Sequence, residues 1–110
     1  MNFKRVKITT TIPIENADAI REALGKAGAG KLGDYSFCSF SITGKGRFKP
    51  SENANPHIGE ANKLEVVEEE QIGVNCDLTH AKQVIAALRA AHPYEEPLID
   101  IFPLIDEEDL

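Results

Sequence analysis

The sequence predicts an α+β fold of the ferredoxin-like type, a split βαβ sandwich in which an antiparallel sheet carries two helices on one face. One observation is the order of segments: extended apolar segments and amphipathic helical segments follow one another as βαββαβ. Another is a pair of long extended segments, 35–48 and 63–77, joined by a polar loop. The 110 residues suffice for a single domain, with its core at about 3–104 and an acidic tail at 105–110.

The first strand and the first helix are predicted from the spacing of apolar residues, which differs between the two segments. Residues 3–12 alternate between apolar and polar side chains, which is the period of a half-buried strand, and Pro13 closes it. From about 15 to 27 the apolar residues recur at helical spacing, and Gly28 supplies a C-terminal cap. The residues on the buried strand face are Val6, Ile8, Thr10 and Ile12.

The glycine-rich segment 25–32 nearly matches a phosphate-binding P-loop. Leu32 stands where that motif needs Ser or Thr to hold magnesium. The segment also follows a helix, whereas a P-loop opens one and aims its backbone N–H groups at phosphate. We therefore predict a helix stop and a turn here.

The second strand is predicted at 35–48 and contains two glycines. Gly44 and Gly46 indicate a bulge or a close backbone approach, so a bent strand is expected. The segment 50–62 is rich in Ser, Asn, Pro and Gly and is longer than an ordinary hairpin loop. Loops of this kind often carry function.

The third strand, 63–77, contains three adjacent carboxylates at 68–70. We interpret them as a solvated strand face that keeps an exposed edge from aggregating, in preference to a cation site. Thr79 is predicted to cap a second helix at 80–91, and a final strand at 98–102 follows. Pro103 places that last strand at an edge or exit.

The segment 92–97, His-Pro-Tyr-Glu-Glu-Pro, is the densest group of polar residues in the chain, and we call it the corner segment. Its first proline disfavours helical backbone at His92, so the preceding helix must end there. The corner is thus expected to be rigid. It either turns the chain or presents its polar side chains to a ligand, namely His92, Tyr94, Glu95 and Glu96.

Composition limits the partners. Twelve Lys and Arg stand against 18 Asp and Glu, and the formal charge of -6 disfavours nucleic acid and anionic membranes as partners. No leader-like or membrane-spanning apolar segment is evident, so a cytoplasmic protein is expected. Cys38 and Cys76 are far apart in apolar segments and are predicted to be buried free thiols, in preference to a disulfide or a metal pair.

Several motifs carry a family resemblance that spans about residues 5–104. They are Gly28–Gly30, Gly33–Ser36, Gly44–Phe48, Asn55–Pro56, Ile58–Glu60 and the corner segment. With them the chain resembles the inserted PII-like or CutA-like domain of YqfO-type, Nif-three-like proteins. The corner segment is also similar to the His-Pro-Tyr-Glu segment of CutA, a trimeric protein linked to divalent metal tolerance. The resemblance implies a PII/CutA-like fold and a homotrimer, but the domains that carry the dinuclear metal site of Nif-three-like proteins are not part of this sequence.

Three functions compete. The first is a non-catalytic regulatory module of the PII/CutA-like type that binds a small molecule or a protein in clefts between subunits. The equal alternative is that its candidate residues merely build the bent hairpin. Catalysis is not expected, because no nucleophile–base pair can be named. The candidate ligand-binding residues are Tyr35, Ser36, Arg47, Phe48, Asn55, Glu60 and Tyr94.

The second function is binding of a divalent metal, zinc or copper, by imidazole and carboxylate groups. Its candidate ligands are His92, Glu95, Glu96 and His57, with Cys76 as a further donor across a subunit boundary. Against it, a histidine at a helix end can simply form a C-terminal cap. The third is a role as an accessory to, or remnant of, a Nif-three-like dinuclear metal protein.

Overall fold

The computed structural model describes residues 2–110 and contains, within them, one four-stranded antiparallel sheet and two α-helices. The sheet order is β2-β3-β1-β4, so β2 and β4 are the edges. This confirms the predicted ferredoxin-like α+β fold. The elements are β1 (Arg5–Pro13), α1 (Ala17–Lys26), β2 (Phe40–Phe48), β3 (Glu65–Asp77), α2 (Ala81–Ala91) and β4 (Ile99–Leu104).

The core lies between the two helices and one face of the sheet. The alternation predicted for the first strand places Ile8 and Ile12 in this core, where they are 1% and 0% exposed. The opposite face carries no helix, and we call it the helix-free face. The other large core residues are Ile20 and Leu24 of α1, Ile72 of β3, and Val84 and Leu88 of α2.

The prediction of a second strand beginning at residue 35 is wrong, because β2 begins at Phe40. Phe37 adopts a left-handed backbone with φ of 57°, which breaks extended structure. Its ring lies over Gly25, where any Cβ would overlap the ring. Cys38 is therefore in a loop and only half-buried, contrary to prediction, whereas Cys76 is buried; both are free thiols.

Of the two alternatives predicted from Gly44 and Gly46, a bulge or a close approach, the structure does not show the bulge. β2 and β3 pair without interruption from Phe40 opposite Gly73 to Phe48 opposite Glu65. The alternative, a close approach, is what Gly46 provides: a Cβ there would overlap the Glu69 carboxylate.

The three glutamates at 68–70 do not form one solvated face, and β3 is an inner strand rather than an edge. Glu68 and Glu70 point to the helix side, where Lys45 Nζ lies 3.4 Å from Glu68 and Arg21 Nη1 lies 2.7 Å from Glu70. Glu69 points to the helix-free face and is 5% exposed. Alternation along the strand separates the three charges, which reduces their repulsion.

Thr79 does not cap α2. A turn of 3₁₀ helix, Leu78–His80, precedes the helix, and no side-chain hydrogen bond caps its first turn. The last strand extends past its predicted end and includes Pro103, on an edge strand as expected. Among the described residues, neither helix has the length and apolar character needed to cross a bilayer.

Candidate functional site

The corner segment begins directly after α2, as predicted from Pro93. α2 ends at Ala91, and His92 has extended backbone with φ of −76° and ψ of 129°. The His92 N–H still donates to Leu88 O at 2.9 Å, which closes the last helical turn. The chain then leaves the helix and passes close to β1 and β3.

The His92 side chain connects this corner to β1. His92 is 7% exposed, its Nε2 lies 2.8 Å from Thr11 O, and its Nδ1 lies 3.2 Å from the backbone nitrogen of Tyr94. A carbonyl can only accept and a backbone N–H can only donate, so Nε2 carries the proton and Nδ1 accepts. The ring therefore joins two chain segments instead of capping helix carbonyls, and both its nitrogens are occupied.

Tyr94 connects the corner to β3. Its hydroxyl donates to Glu69 Oε2 at 2.6 Å. Burial, and then the hydrogen bond and the negative charge of Glu69, raise the pKa of the Tyr94 phenol above its ordinary value. The phenol thus stays protonated and acts as a fixed donor to the carboxylate.

A third connection reaches the loop between β2 and β3. The Asn55 N–H donates to Glu95 Oε2 at 2.9 Å. The same approach groups aromatic rings around Tyr94: the centroid of Phe48 lies 6.0 Å away and that of His57 lies 6.3 Å away, both tilted. The corner is thereby held by β1, β3 and the loop together.

A cavity of about 820 Å³, half-open to solvent, lies between β2, the loop and the corner, largely over the helix-free face. Its lining combines aromatic and aliphatic side chains with a few polar groups, as in many small-molecule sites. The lining residues used below are Gly44, Lys45, Gly46, Arg47, Phe48, Lys49, His57, Glu69, Tyr94, Glu95 and Glu96.

Glu69 is the buried charge of this cavity. One carboxylate oxygen accepts from Tyr94, and the other, Oε1, accepts no hydrogen bond from residues 2–110. Oε1 lies over Gly46, which has no side chain to occupy that space. The sequence indicates a bulge or a close approach at Gly46 but does not connect this glycine with Glu69, which it predicts to be part of a solvated strand face.

The Gly46→Ala variant should displace Glu69, because the new methyl group would overlap its carboxylate. We expect the Tyr94–Glu69 hydrogen bond to break and the phenol of Tyr94 to titrate at lower pH than in the wild type. Ultraviolet difference spectra across alkaline pH would measure this. Gly44→Ala is the matched control, since a Cβ there meets nothing within 4 Å. An unchanged titration in Gly46→Ala would contradict the geometry.

The structure brings together only part of the predicted ligand-binding set. Arg47, Phe48 and Tyr94 line the cavity, and Asn55 contributes through its backbone. Three members lie elsewhere. Tyr35 and Ser36 are exposed in the loop before β2, where Tyr35 pairs with Leu32 in a short bridge, and Glu60 pairs with Lys63 at 2.8 Å.

The candidate metal ligands do not form a metal centre in this structure. His92 has no free ring nitrogen, since both are hydrogen-bonded, and Cys76 lies in the core. Within residues 2–110 no three His, Cys, Asp or Glu side chains converge as metal ligands would. Within one chain the corner therefore offers no group of three such donors, and a metal site shared between subunits stays a prediction.

Burial lowers the pKa of His92 below its ordinary value of 6.5. Above 6.5 both folded and unfolded chains keep this ring neutral; as the pH falls below it, the unfolded chain binds the proton first, so stability is lost. We expect urea titrations at pH 7.5 and about pH 5.5 to show a larger loss of unfolding free energy for the wild type than for His92→Gln. An equal loss in both proteins would show that His92 is not held neutral.

Comparisons with known proteins agree with this architecture. No family model matches the chain. A GTP cyclohydrolase 1 type 2 homolog from Halalkalibacterium halodurans is 46% identical over 101 residues, which is 92% of this chain and 27% of the relative. A protein of the same name from Mycobacterium tuberculosis is 47% identical over 94 residues, 86% of this chain and 25% of the relative. The chain thus spans about a quarter of these relatives.

Solved structures divide into two groups. A Bacillus cereus protein related to NIF3 superposes with a TM-score of 0.82 at 38% identity, covering 94% of this chain and 26% of that one. The periplasmic divalent cation tolerance protein CutA from Archaeoglobus fulgidus gives 0.66 at 22% identity, covering 91% of this chain and 83% of CutA. CutA1 from Shewanella sp. SIB1 superposes with a TM-score of 0.71 at 19% identity, covering 96% of this chain and 86% of CutA1. The CutA likeness shows the fold alone, whereas the first match extends to sequence: the chain is a homologue of the PII-like, CutA-like domain of NIF3-related, YqfO-type proteins.

Proposed function

We propose that this chain is a non-catalytic regulatory module whose cavity binds a small organic molecule. The observation that carries the proposal is the cavity of about 820 Å³, which combines apolar and aromatic lining with one buried carboxylate, Glu69. Its size falls within the range of ligand pockets, and a few fixed polar groups among apolar ones are what orients a small molecule.

The groups around the cavity do not favour catalysis. A general acid or base works best with a pKa near the operating pH, but the pKa of Tyr94 is raised and that of His92 is lowered. Both nitrogens of His92 are also engaged in holding the backbone. The enzyme name of the relatives belongs to proteins of which this chain covers 27% or less. We expect no turnover of GTP by this chain.

A metabolite library screened by thermal shift tests the proposal. A compound at 100 times its dissociation constant adds about 2.7 kcal/mol to stability. The Gly44→Phe variant, which places a ring in the cavity, should lose the shift while keeping its own fold. A library in which no compound stabilises the wild type would refute the proposal, as would hits that stabilise Gly44→Phe equally.

We also propose that the chain forms a homotrimer. Support comes from the unpaired outer edge of β2 and from exposed apolar residues on the helix-free face, where Phe40 is 71% and Ile42 is 56% exposed. Light scattering at micromolar concentration should give about three times the 12.1 kDa chain mass. A mass of one chain would contradict the trimer but leave the cavity, which is formed within a single chain, unaffected.

A further inference from the structure

We propose that the cavity selects organic cations: an ammonium or amidinium group of the ligand binds Glu69 Oε1, and its carbon skeleton lies against the rings of Phe48 and Tyr94. This inference rests on the proposed function and names the chemical class of ligand. It follows from the state of one carboxylate, from the rings beside it and from the placement of the surrounding charges.

Glu69 is a buried anion without a cationic partner among the described residues. Its two neighbours are each paired, Glu68 with Lys45 and Glu70 with Arg21, whereas Glu69 receives a single hydrogen bond from the neutral phenol of Tyr94. A buried charge that is incompletely compensated is costly. Water in the cavity can reach Oε1 and offset part of this cost, and a bound cation would replace that water with a charge-assisted hydrogen bond.

The second oxygen is also held in position for a ligand. Tyr94 fixes Oε2, and the missing side chain of Gly46 leaves Oε1 at the surface of the cavity. Because the carboxylate is oriented before binding, little side-chain entropy is lost when a donor arrives. The arrangement therefore favours ligands whose N–H groups can reach this one oxygen.

Aromatic rings stand next to the same carboxylate. The rings of Phe48 and Tyr94 are inclined at 59° with their centroids 6.0 Å apart, and the centroid of the His57 ring lies 6.3 Å from that of Tyr94. The face of an aromatic ring carries negative electrostatic potential and attracts cations, more strongly when water is excluded. A cationic group at Glu69 would thus bind a carboxylate that lies beside an aromatic cluster.

The basic residues at the cavity do not reverse this preference. Lys45 and Arg47 alternate along β2 with Gly46 and Phe48, so they leave the strand on its other side, and Lys45 pairs with Glu68. Lys49, Glu95 and Glu96 are exposed, where solvent and salt screen their charges. The charge that a ligand meets at the base of the cavity is that of Glu69.

Three probes of nearly equal size and different charge test the inference: benzamidine, benzyl alcohol and benzoate. We would titrate each into ¹⁵N-labelled protein and follow the amide signals of Gly46, Phe48 and Tyr94. Benzamidine should bind at least about tenfold more tightly than benzyl alcohol, and benzoate should bind most weakly. Glu69→Gln should abolish the difference between benzamidine and benzyl alcohol. Glu68→Gln, the same change one residue away on the other face, should keep it.

The outcomes separate this inference from the proposed function. Equal or tighter binding of benzoate or benzyl alcohol overturns the charge selection while the cavity remains a binding site. Library hits confined to neutral and anionic compounds would also overturn the charge selection and leave the cavity as a binding site. If no compound of any charge binds, the proposed function fails and the inference with it. Should Glu69→Gln not fold, the order of the three probes on the wild type still decides.

Discussion

Replacing His92 by alanine should lower the free energy of unfolding by about 2–4 kcal/mol, since buried polar groups left without partners cost about 1–3 kcal/mol each and a cavity adds to this. The variant removes the ring that accepts from the Tyr94 N–H and donates to Thr11 O. It also releases the corner segment from β1, so ligand binding should weaken together with stability. Urea unfolding followed by circular dichroism measures the first effect.

His80→Ala is the control for this experiment, because His80 is exposed and its ring makes no hydrogen bond within residues 2–110. Its unfolding free energy should stay within about 0.5 kcal/mol of the wild type. A loss below about 1 kcal/mol in His92→Ala would mean that water replaces both hydrogen bonds and that the ring does not hold the corner.

The Gly30→Ala variant should be destabilised by about 2–5 kcal/mol, from about 1–2 kcal/mol of left-handed backbone strain and about 1–3 kcal/mol of overpacking. Gly30 has φ of +81° and is buried. Its N–H donates to Asn75 O at 2.8 Å and its carbonyl accepts from the Cys38 N–H at 2.8 Å. A Cβ would overlap the Cys38 carbonyl and lie 2.7 Å from its nitrogen, and backbone cannot rotate away.

Gly33→Ala separates the two causes. Gly33 also has positive φ, +57°, but a Cβ there meets nothing within 4 Å. Gly33→Ala should lower the free energy of unfolding only through left-handed backbone strain, by about 1 kcal/mol. Equal losses in the two variants, measured by thermal unfolding, would show that backbone strain alone matters and that the approach of Cys38 to Gly30 is not tight.

The fold could be predicted because its signals are local. The alternation at Val6, Ile8 and Ile12 and the prolines of the corner segment each act through neighbouring residues, and the structure agrees with them. The start of β2 could not be predicted in this way. Residues 35–39 have strand-like composition, but Phe37 packs on Gly25 of α1, a contact that strand periodicity does not encode.

The candidate site was only partly predictable for the same reason. The sequence identified the corner segment, but not that Tyr94 would meet Glu69 or that His92 would meet Thr11, 25 and 81 residues away. A run of three glutamates normally indicates solvent exposure. Glu69 is buried here because side chains alternate along β3. Of the three glutamates only Glu69 points to the helix-free face, where the corner segment covers it.

The corner segment also determines when during synthesis the cavity can exist. Its side chains reach back to β1, to β3 and to the loop between β2 and β3, so none of these contacts can form before residues 92–95 have left the ribosome. Domains emerge from the N-terminus onward, and the helices and inner strands precede this segment in the chain. A ligand of the cavity therefore has no complete binding site on a chain that lacks the corner segment. It can stabilise only a domain whose translation has passed the corner, and its binding would distinguish chains that include the corner segment from chains that end before it.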